Sequence, residues 1–203
     1  MEKEKQNLLE SLRNSEFSEQ IISAFEKVPR ENFVPDHLKS YAYEDIALPI
    51  ESGSTISQPH TVAFMLKLLD PKQNQKILEI GSGSGYALSL LSEVIKSGSV
   101  YGLEINSRLA VKSKSLLSKD SNICIFNKSG FSGLPDFAPF DRILFSASCQ
   151  DMRIPYNLLE QLKDPGILVV PVKSSIFKVT KENGKTTEEE FPGFAFVPLR
   201  KEE

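Results

Sequence analysis

An α/β domain built on a parallel sheet is the architecture this sequence predicts, and three observations predict it. From residue 71 onward, short apolar runs alternate with segments of helical period, the texture of successive βα units. The run Leu78-Glu79-Ile80-Gly81-Ser82-Gly83-Ser84-Gly85 places a glycine-rich turn where the first of those strands hands over to its helix. The chain has 203 residues, room for one such unit at about 150 residues per domain and cramped for two.

The elements follow in order. Leu8, Leu9 and Leu12, then Ile21, Ile22, Phe25 and Val28, recur at spacings of three and four and predict two amphipathic helices separated by Ser15-Glu16-Phe17-Ser18. Pro29 ends the second, and residues 28–35, with two prolines, read as a loop packed by Phe33 and Val34. Residues 46–55 form an extended, turn-rich approach broken by Gly53. Pro59 then opens a helix through Val62, Met65, Leu66 and Leu69, with the Ser57 hydroxyl near its start. Strands are predicted over 76–80, 99–105, 123–127, 141–146 and 167–172, with helices over 86–96, 108–119 and 155–162. The tail reads as a hairpin of 177–180 and 186–191 around Asn183-Gly184, followed by a final strand over 194–199. The run Glu188-Glu189-Glu190 reads as a solvated edge.

Composition excludes several classes. Lys and Arg total 24 against 27 Asp and Glu, a formal charge of −3, which is not the balance of a polybasic nucleic-acid binder. The charged start and the lack of any run of 18 apolar residues predict a soluble, cytoplasmic protein with no membrane segment. Cys124 and Cys149 read as reduced thiols, and His37 and His60 are too few for a histidine-rich metal site.

The glycine turn is the most informative segment. Glycines there allow positive φ and let a ligand approach the backbone, although a connecting turn without a ligand has the same pattern. Charge separates the candidate ligands. A pyrophosphate at the helix start would face the carboxylate of Glu79, whereas a ligand with an ammonium and a sulfonium, such as S-adenosylmethionine, suits it. Glu104 closes the second strand, 19 residues after Gly85, where a carboxylate can accept both hydroxyls of an adenosine ribose. Glu79 and Glu104 taken singly are compatible with capping or surface roles; with Gly81, Gly83 and Gly85 they favour the methyl donor over NAD.

These residues make the chain resemble a Rossmann-like class I S-adenosylmethionine-dependent methyltransferase. Further segments make it resemble, more narrowly, the protein-L-isoaspartate (D-aspartate) O-methyltransferase family. They are Val28-Pro29-Arg30-Glu31-Asn32-Phe33-Val34-Pro35, Ile46-Ala47-Leu48-Pro49-Ile50, Thr55-Ile56-Ser57-Gln58-Pro59-His60, Ala138-Pro139-Phe140-Asp141, Gly166-Ile167-Leu168-Val169-Val170-Pro171-Val172 and Phe196-Val197-Pro198-Leu199. The Thr55 to Pro59 signature and the Val197-Pro198-Leu199 ending are the most specific. The resemblance implies a mostly parallel sheet with a reversed last strand, preceded by N-terminal helical elements. It also implies one methyltransferase domain over 1–203, with residues 1–70 on the substrate side and 71–203 as the donor-binding core.

Residue by residue, the resemblance puts Ser57 on the family's active-site serine, with Thr55 and Ile56 on its flank. It puts Glu79, Gly81, Ser82, Gly83 and Gly85 on the donor turn, and Glu104 with Ile105 at the ribose. Ser129 and Gly130 stand where the family usually has Asp-Gly against the adenine amino group, so an uncharged hydroxyl replaces a carboxylate there. Ala147-Ser148-Cys149-Gln150 stands where the family usually runs Ala-Ala-Pro. His60 reads as a first-turn or surface histidine, Cys149 as inert, and Tyr86 and Phe131 as walls of the adenine site or core. Ser57 has a competing use as the cap of the following helix.

The implied reaction is in-line methyl transfer from S-adenosylmethionine to the free α-carboxylate of an isoaspartyl residue in a damaged protein or peptide. That acceptor is already an anion, so no general base and no metal are required; Ser57 aims the carboxylate. The ester then favours succinimide closure and partial return to aspartate, which is protein repair. A cytoplasmic monomer acting on isoaspartyl proteins, with no nucleic-acid or membrane partner, is the accompanying expectation. The departures motivate two competing readings, a methyltransferase of the same build with another acceptor and a donor-binding protein without turnover.

Overall fold

The computed structural model describes residues 1–149 and 156–199. Two amphipathic helices open the chain, α1 (Glu2–Asn14) and α2 (Glu19–Lys27), the second capped by the Ser18 hydroxyl accepting from the Ile21 amide. Residues 28–35, expected as a loop, contain a 3-10 turn over Arg30–Phe33, and a second follows over Asp36–Tyr41. Phe33 and Val34 are buried as expected. A two-stranded ribbon, β1 (Leu48–Pro49) with β2 (Thr55–Ile56), leads into α3 (Pro59–Leu69).

The sheet has seven strands: β3 (Lys76–Ile80), β4 (Ser99–Leu103), β5 (Ile123–Phe126), β6 (Phe140–Phe145), β7 (Leu162–Val172), β8 (Ser175–Glu182) and β9 (Lys185–Pro192). Their order is β5-β4-β3-β6-β7-β8-β9. The first five run parallel; β8 is the reversed strand, and β9 turns back once more at the edge. Helices α4 (Tyr86–Ile95), α5 (Ser107–Leu116) and α6 (Tyr156–Glu160) connect them; the start expected for α6 at residue 155 lies outside the described residues. Alternation along each strand feeds two cores. Ile77, Leu144 and Val169 pack with α1 to α4, whereas Leu78, Ile80, Ile143, Phe145, Leu168 and Val170 pack with Leu134, Phe140 and Leu158.

Two expectations about strands need correction. β7 begins at Leu162, five residues early, because Leu162 pairs with Phe140 and the Asp164-Pro165 segment bulges out before pairing resumes at Ile167. A bulge is where a strand tolerates proline, which cannot donate to the ladder. Residues 194–199 are not a strand: they make one parallel bridge, Ser148 with Pro198, through Ser148 N–H to Val197 C=O (2.8 Å) and Leu199 N–H to Ser148 C=O (2.8 Å). Aromatic packing holds the rest. Phe194 stacks on Phe64 of α3 at 5.4 Å with 16° between the rings, and Phe191 meets the same ring edge-on.

The N-terminal third is organised by one charge. Arg30 is fully buried, and its guanidinium donates to the carbonyls of Ala42 (2.6 Å), Ile46 (3.1 Å) and Ser57 (2.9 Å), with a long contact to Glu44 (3.5 Å). The ring of Tyr86 lies 5.9 Å from it and is boxed in by Phe25 and Phe33. A planar fork reaches several carbonyls that an ammonium could not satisfy together. We predict that Arg30→Met lowers the unfolding free energy in urea by about 3 kcal/mol, because buried carbonyls are left unpaired. Arg30→Lys should recover only part of it. A loss below about 1 kcal/mol for the Met variant would contradict this role for the guanidinium.

Candidate functional site

The carboxyl ends of β3, β4 and β6 converge on the glycine turn. Gly81 and Ser82 donate their N–H groups to Leu103 C=O at 2.8 and 3.0 Å, fastening the turn to the end of β4. Gly81 has φ +78, and a Cβ there would come within 3.2 Å of Ala147 Cβ at the end of β6, so only glycine allows this approach. Glu104 faces the turn. Its carboxylate accepts from the Gly83 N–H at 2.7 Å and the Asn106 N–H at 2.8 Å, while the Asn127 amide holds the Glu104 and Ile105 carbonyls at 2.8 and 3.0 Å.

Two adjoining cavities open at this edge. The first, about 320 Å³, is lined by Gly81, Gly83, Glu104 and Ile105 on the sheet side, with Gly53, Ser54 and Thr55 opposite and residues 197–199 closing it. The second, about 610 Å³, is lined by Thr55, Ser57, His60, Phe64, Phe17 and the Phe194 to Val197 segment, among others. Both volumes fall in the ~300–1,000 Å³ range of small-molecule sites. Thr55, Ser146 and Val197 line both, so these residues form the wall where the cavities meet.

Charge is distributed unevenly. Among the described residues the first cavity's only ionisable lining group is Glu104, and the second's is His60; neither is lined by Lys or Arg. Behind Glu104 lies Glu79, 1% exposed, whose Oε1 accepts the Ser146 hydroxyl at 2.5 Å and whose Oε2 has no partner among the described residues. Burial pushes the Glu79 carboxyl up, the Ser146 hydrogen bond opposes the rise and the Glu104 charge adds to it, leaving it at about 8. A buried carboxyl with a free oxygen beside a second carboxylate is suited to a cation and opposed to a phosphate. The residues present therefore fit a sulfonium donor.

The structure places the expected site residues as follows. Thr55, Gly81, Gly83, Glu104 and Ile105 line the first cavity, and Ser57 and Thr55 the second. Ile56 and Ser82 are buried beside them without lining either. Gly85 and Gly130 are packing positions: a Cβ would come within 2.8 Å of Leu117 in the first case and 2.2 Å of Ile80 in the second. Ser129 also lines neither cavity. The helix after Ser57 is capped by Gln58 without a side-chain bond, so the capping use of Ser57 is not the one adopted.

His60, expected as a first-turn or surface histidine, stands in the first turn of α3 and lines the second cavity, with Nδ1 3.0 Å from Asp45 Oδ1 and Nε2 3.2 Å from Ser15 Oγ. Other lining residues were not singled out from the sequence. Ser146 and Gly53 had no local pattern to mark them. Val197 and Pro198 were visible only as part of a specific ending. Cys149 is buried at an isolated bridge with Val172, and Gln150 lies outside the described residues.

Comparison with known proteins agrees with this geometry. The family model described as protein-L-isoaspartate(D-aspartate) O-methyltransferase matches residues 2–203. Proteins named protein-L-isoaspartate O-methyltransferase from Thermosipho melanesiensis and Dictyoglomus turgidum are each 40% identical, covering 95% and 98% of this chain and 100% and 91% of their own. A solved structure of the same name superposes with a TM-score of 0.87 at 26% identity, covering 97% of this chain and 66% of that longer one. A Plasmodium falciparum structure described under that name, in complex with S-adenosyl-L-homocysteine, gives a TM-score of 0.84 at 26% identity over 97% of this chain and 98% of its own.

The buried acid generates a prediction for the protein without donor. A carboxyl raised from 4.5 to about 8 on folding favours the folded state fully below about pH 4.5, and that contribution is lost as pH rises to about 8. The urea midpoint of Glu79→Gln, followed from pH 5 to 9, should therefore fall less steeply with pH than that of the unmodified chain. Parallel curves would show that Glu79 titrates normally.

Proposed function

The chain belongs to the protein-L-isoaspartate O-methyltransferase family, and on that premise we propose that it methylates the free α-carboxylate of isoaspartyl residues, with the roles of its own residues as follows. The observation that carries this reading is the pair of cavities meeting at Thr55, Ser146 and Val197, acidic on one side and, among the described residues, lined by no lysine or arginine on the other.

S-adenosylmethionine supplies, when bound, a methyl group on a sulfonium that leaves as a neutral thioether. Gly81 and Gly83 give the donor a surface without side chains, and Glu104 offers its remaining lone pairs to the ribose hydroxyls. A carboxylate has about four acceptor sites, so its two bonds to backbone N–H groups leave capacity. Ile105 packs beside it, and Thr55 frames the entrance with Ile56 buried next to it in β2. Glu104 sets a negative field for the cationic donor, and Glu79 adds to it once the donor's charge ionises it. Ser82, Gly85, Ser129 and Gly130 hold the turn and the sheet edge rather than the donor.

The acceptor carboxylate enters the second cavity as an anion, so no residue needs to remove a proton. Ser57 donates its hydroxyl and aims one oxygen at the junction. Hydroxyls orient a carboxylate without cancelling its charge, whereas a bidentate arginine would lower its nucleophilicity. The aromatic walls, Phe64, Phe194 and Phe196, shed water from the acceptor's flanks. The transfer forms a C–O bond from a carboxylate lone pair as the C–S bond breaks and its electrons remain on sulfur. The resulting ester drives succinimide formation, the repair step expected of the family.

The same reading makes residues 1–203 a single catalytic domain, with 1–70 building the acceptor side and 71–203 the donor side. It has the enzyme acting as a cytoplasmic monomer on isoaspartyl proteins, without nucleic acid, membrane or metal. No helix of the described residues is long and apolar enough to cross a membrane.

Incubation with labelled donor and an isoaspartyl peptide should yield a base-labile methyl ester; normal donor binding with no ester would exclude this acceptor. Ser57→Ala should lower turnover about 10- to 100-fold while leaving donor affinity within about twofold, since its partner is the acceptor. Glu104→Ala should weaken donor binding by about 1.5–3 kcal/mol in calorimetry, the scale of hydrogen bonds to a charged group. An unchanged donor affinity would remove Glu104 from the ribose.

A further inference from the structure

Ser146 stands out because it belongs to both cavities and to the buried acid at once. It follows β6, and its amide donates to Ile80 C=O at 2.9 Å, so its backbone is held against the end of β3. Its hydroxyl donates to Glu79 Oε1 at 2.5 Å, and it lines the donor and acceptor cavities where they meet. A serine hydroxyl has one hydrogen and two lone pairs. Once its hydrogen is committed to a buried carboxylate, only lone pairs remain for the junction.

We propose that Ser146 is a positioning residue for the transferred methyl group, its oxygen presenting lone pairs and no proton to the junction because Glu79 takes its hydrogen. This rests on the reading of the two cavities as donor and acceptor sites. A sulfonium methyl carries partial positive charge, and weak C–H···O contacts from a fixed oxygen hold it on the line toward the acceptor. The thioether product has neither that methyl nor that charge, so Ser146 and Glu79 together favour substrate over product. No proton moves between Ser146 and Glu79 in the transfer.

The arrangement depends on the charge of Glu79. Along the sheet its paired neighbours are Gly102 on β4 and Leu144 on β6, which carry no charge, and Glu104 is the charged group that acts on it. A neutral Glu79 accepts the hydroxyl hydrogen more weakly and lets it turn toward the cation, the wrong polarity for a sulfonium. Preference for S-adenosylmethionine over S-adenosylhomocysteine should therefore grow as pH rises toward 8.

The experiment is calorimetry of the full chain with S-adenosylmethionine and, separately, S-adenosylhomocysteine between pH 6 and 8.5, alongside turnover on an isoaspartyl peptide. The unmodified protein should gain sulfonium preference with pH. Ser146→Ala and Ser146→Val should lose about fivefold of that preference and lower kcat with little change in acceptor KM, whereas Ser146→Thr retains both. Glu79→Gln should lose the pH dependence and about tenfold of the preference, as a charge-assisted bond is replaced by a neutral one. Unchanged preference and kcat in Ser146→Ala, with both ligands binding normally, would overturn this role and leave the function intact. Failure of the unmodified chain to bind either ligand would overturn the role together with the assignment of the cavities.

Discussion

The buried guanidinium of Arg30 is the constraint on which the site depends. Sheet and glycine turn supply half of the site, but the other half comes from an irregular segment with little secondary structure of its own. Its carbonyls would be exposed or unpaired without a common donor. Arg30 pairs three of them across positions 42 to 57, ending at Ser57 itself. A charge buried at this cost is sustained because both terminal nitrogens find fixed carbonyls and Tyr86 covers it. Folding of α2, the 3-10 turns, β1 and β2 thereby sets the distance between Ser57 and the glycine turn.

The electrostatics follow from what the two cavities exclude. On the proposed assignment, an acidic donor side and an acceptor side furnished with hydroxyls keep two reactants of opposite charge apart until they meet at Thr55, Ser146 and Val197. Fixed dipoles there replace water, which would stabilise the separated ions more than the transition state in which both charges fade. A cation on the acceptor side would hold the carboxylate more tightly and make it react more slowly. The enzyme instead uses position, which is the larger contribution when neither reactant needs activation.

Much of this was legible in the sequence, for a physical reason. β3, α3, α4 and the hairpin rest on local period, capping and turn chemistry, and the glycine turn and Glu104 rest on a spacing set by one strand and one helix. What escaped depends on partners far along the chain. The early start of β7 needs Phe140 opposite Leu162, and the irregular path of 194–199 needs the ring of Phe64 beneath Phe194. Gly85 and Gly130 share the composition of ligand-facing glycines, yet a φ of +86 against Leu117 in the first and the closeness of Ile80 in the second are what disfavour a side chain there. His60 became part of the wall through Ser15 and Asp45, residues 45 and 15 positions away.

Glu79 shows most clearly how local and distant information combine. Its place at the end of β3, just before the turn, marks it as acidic in a site for a cation, but sequence alone leaves it an ordinary carboxylate. Burial makes it a weak acid, and Ser146, 67 residues later, ties it to the junction of the two cavities. A solvated carboxylate would be screened and indifferent to the difference between sulfonium and thioether. A desolvated one is costly to ionise until a cation arrives, so part of the donor's charge is used to ionise it. That cost is recovered only while the sulfonium lasts: once the methyl has moved, the neutral thioether no longer compensates the charge, and the same buried acid then favours product departure.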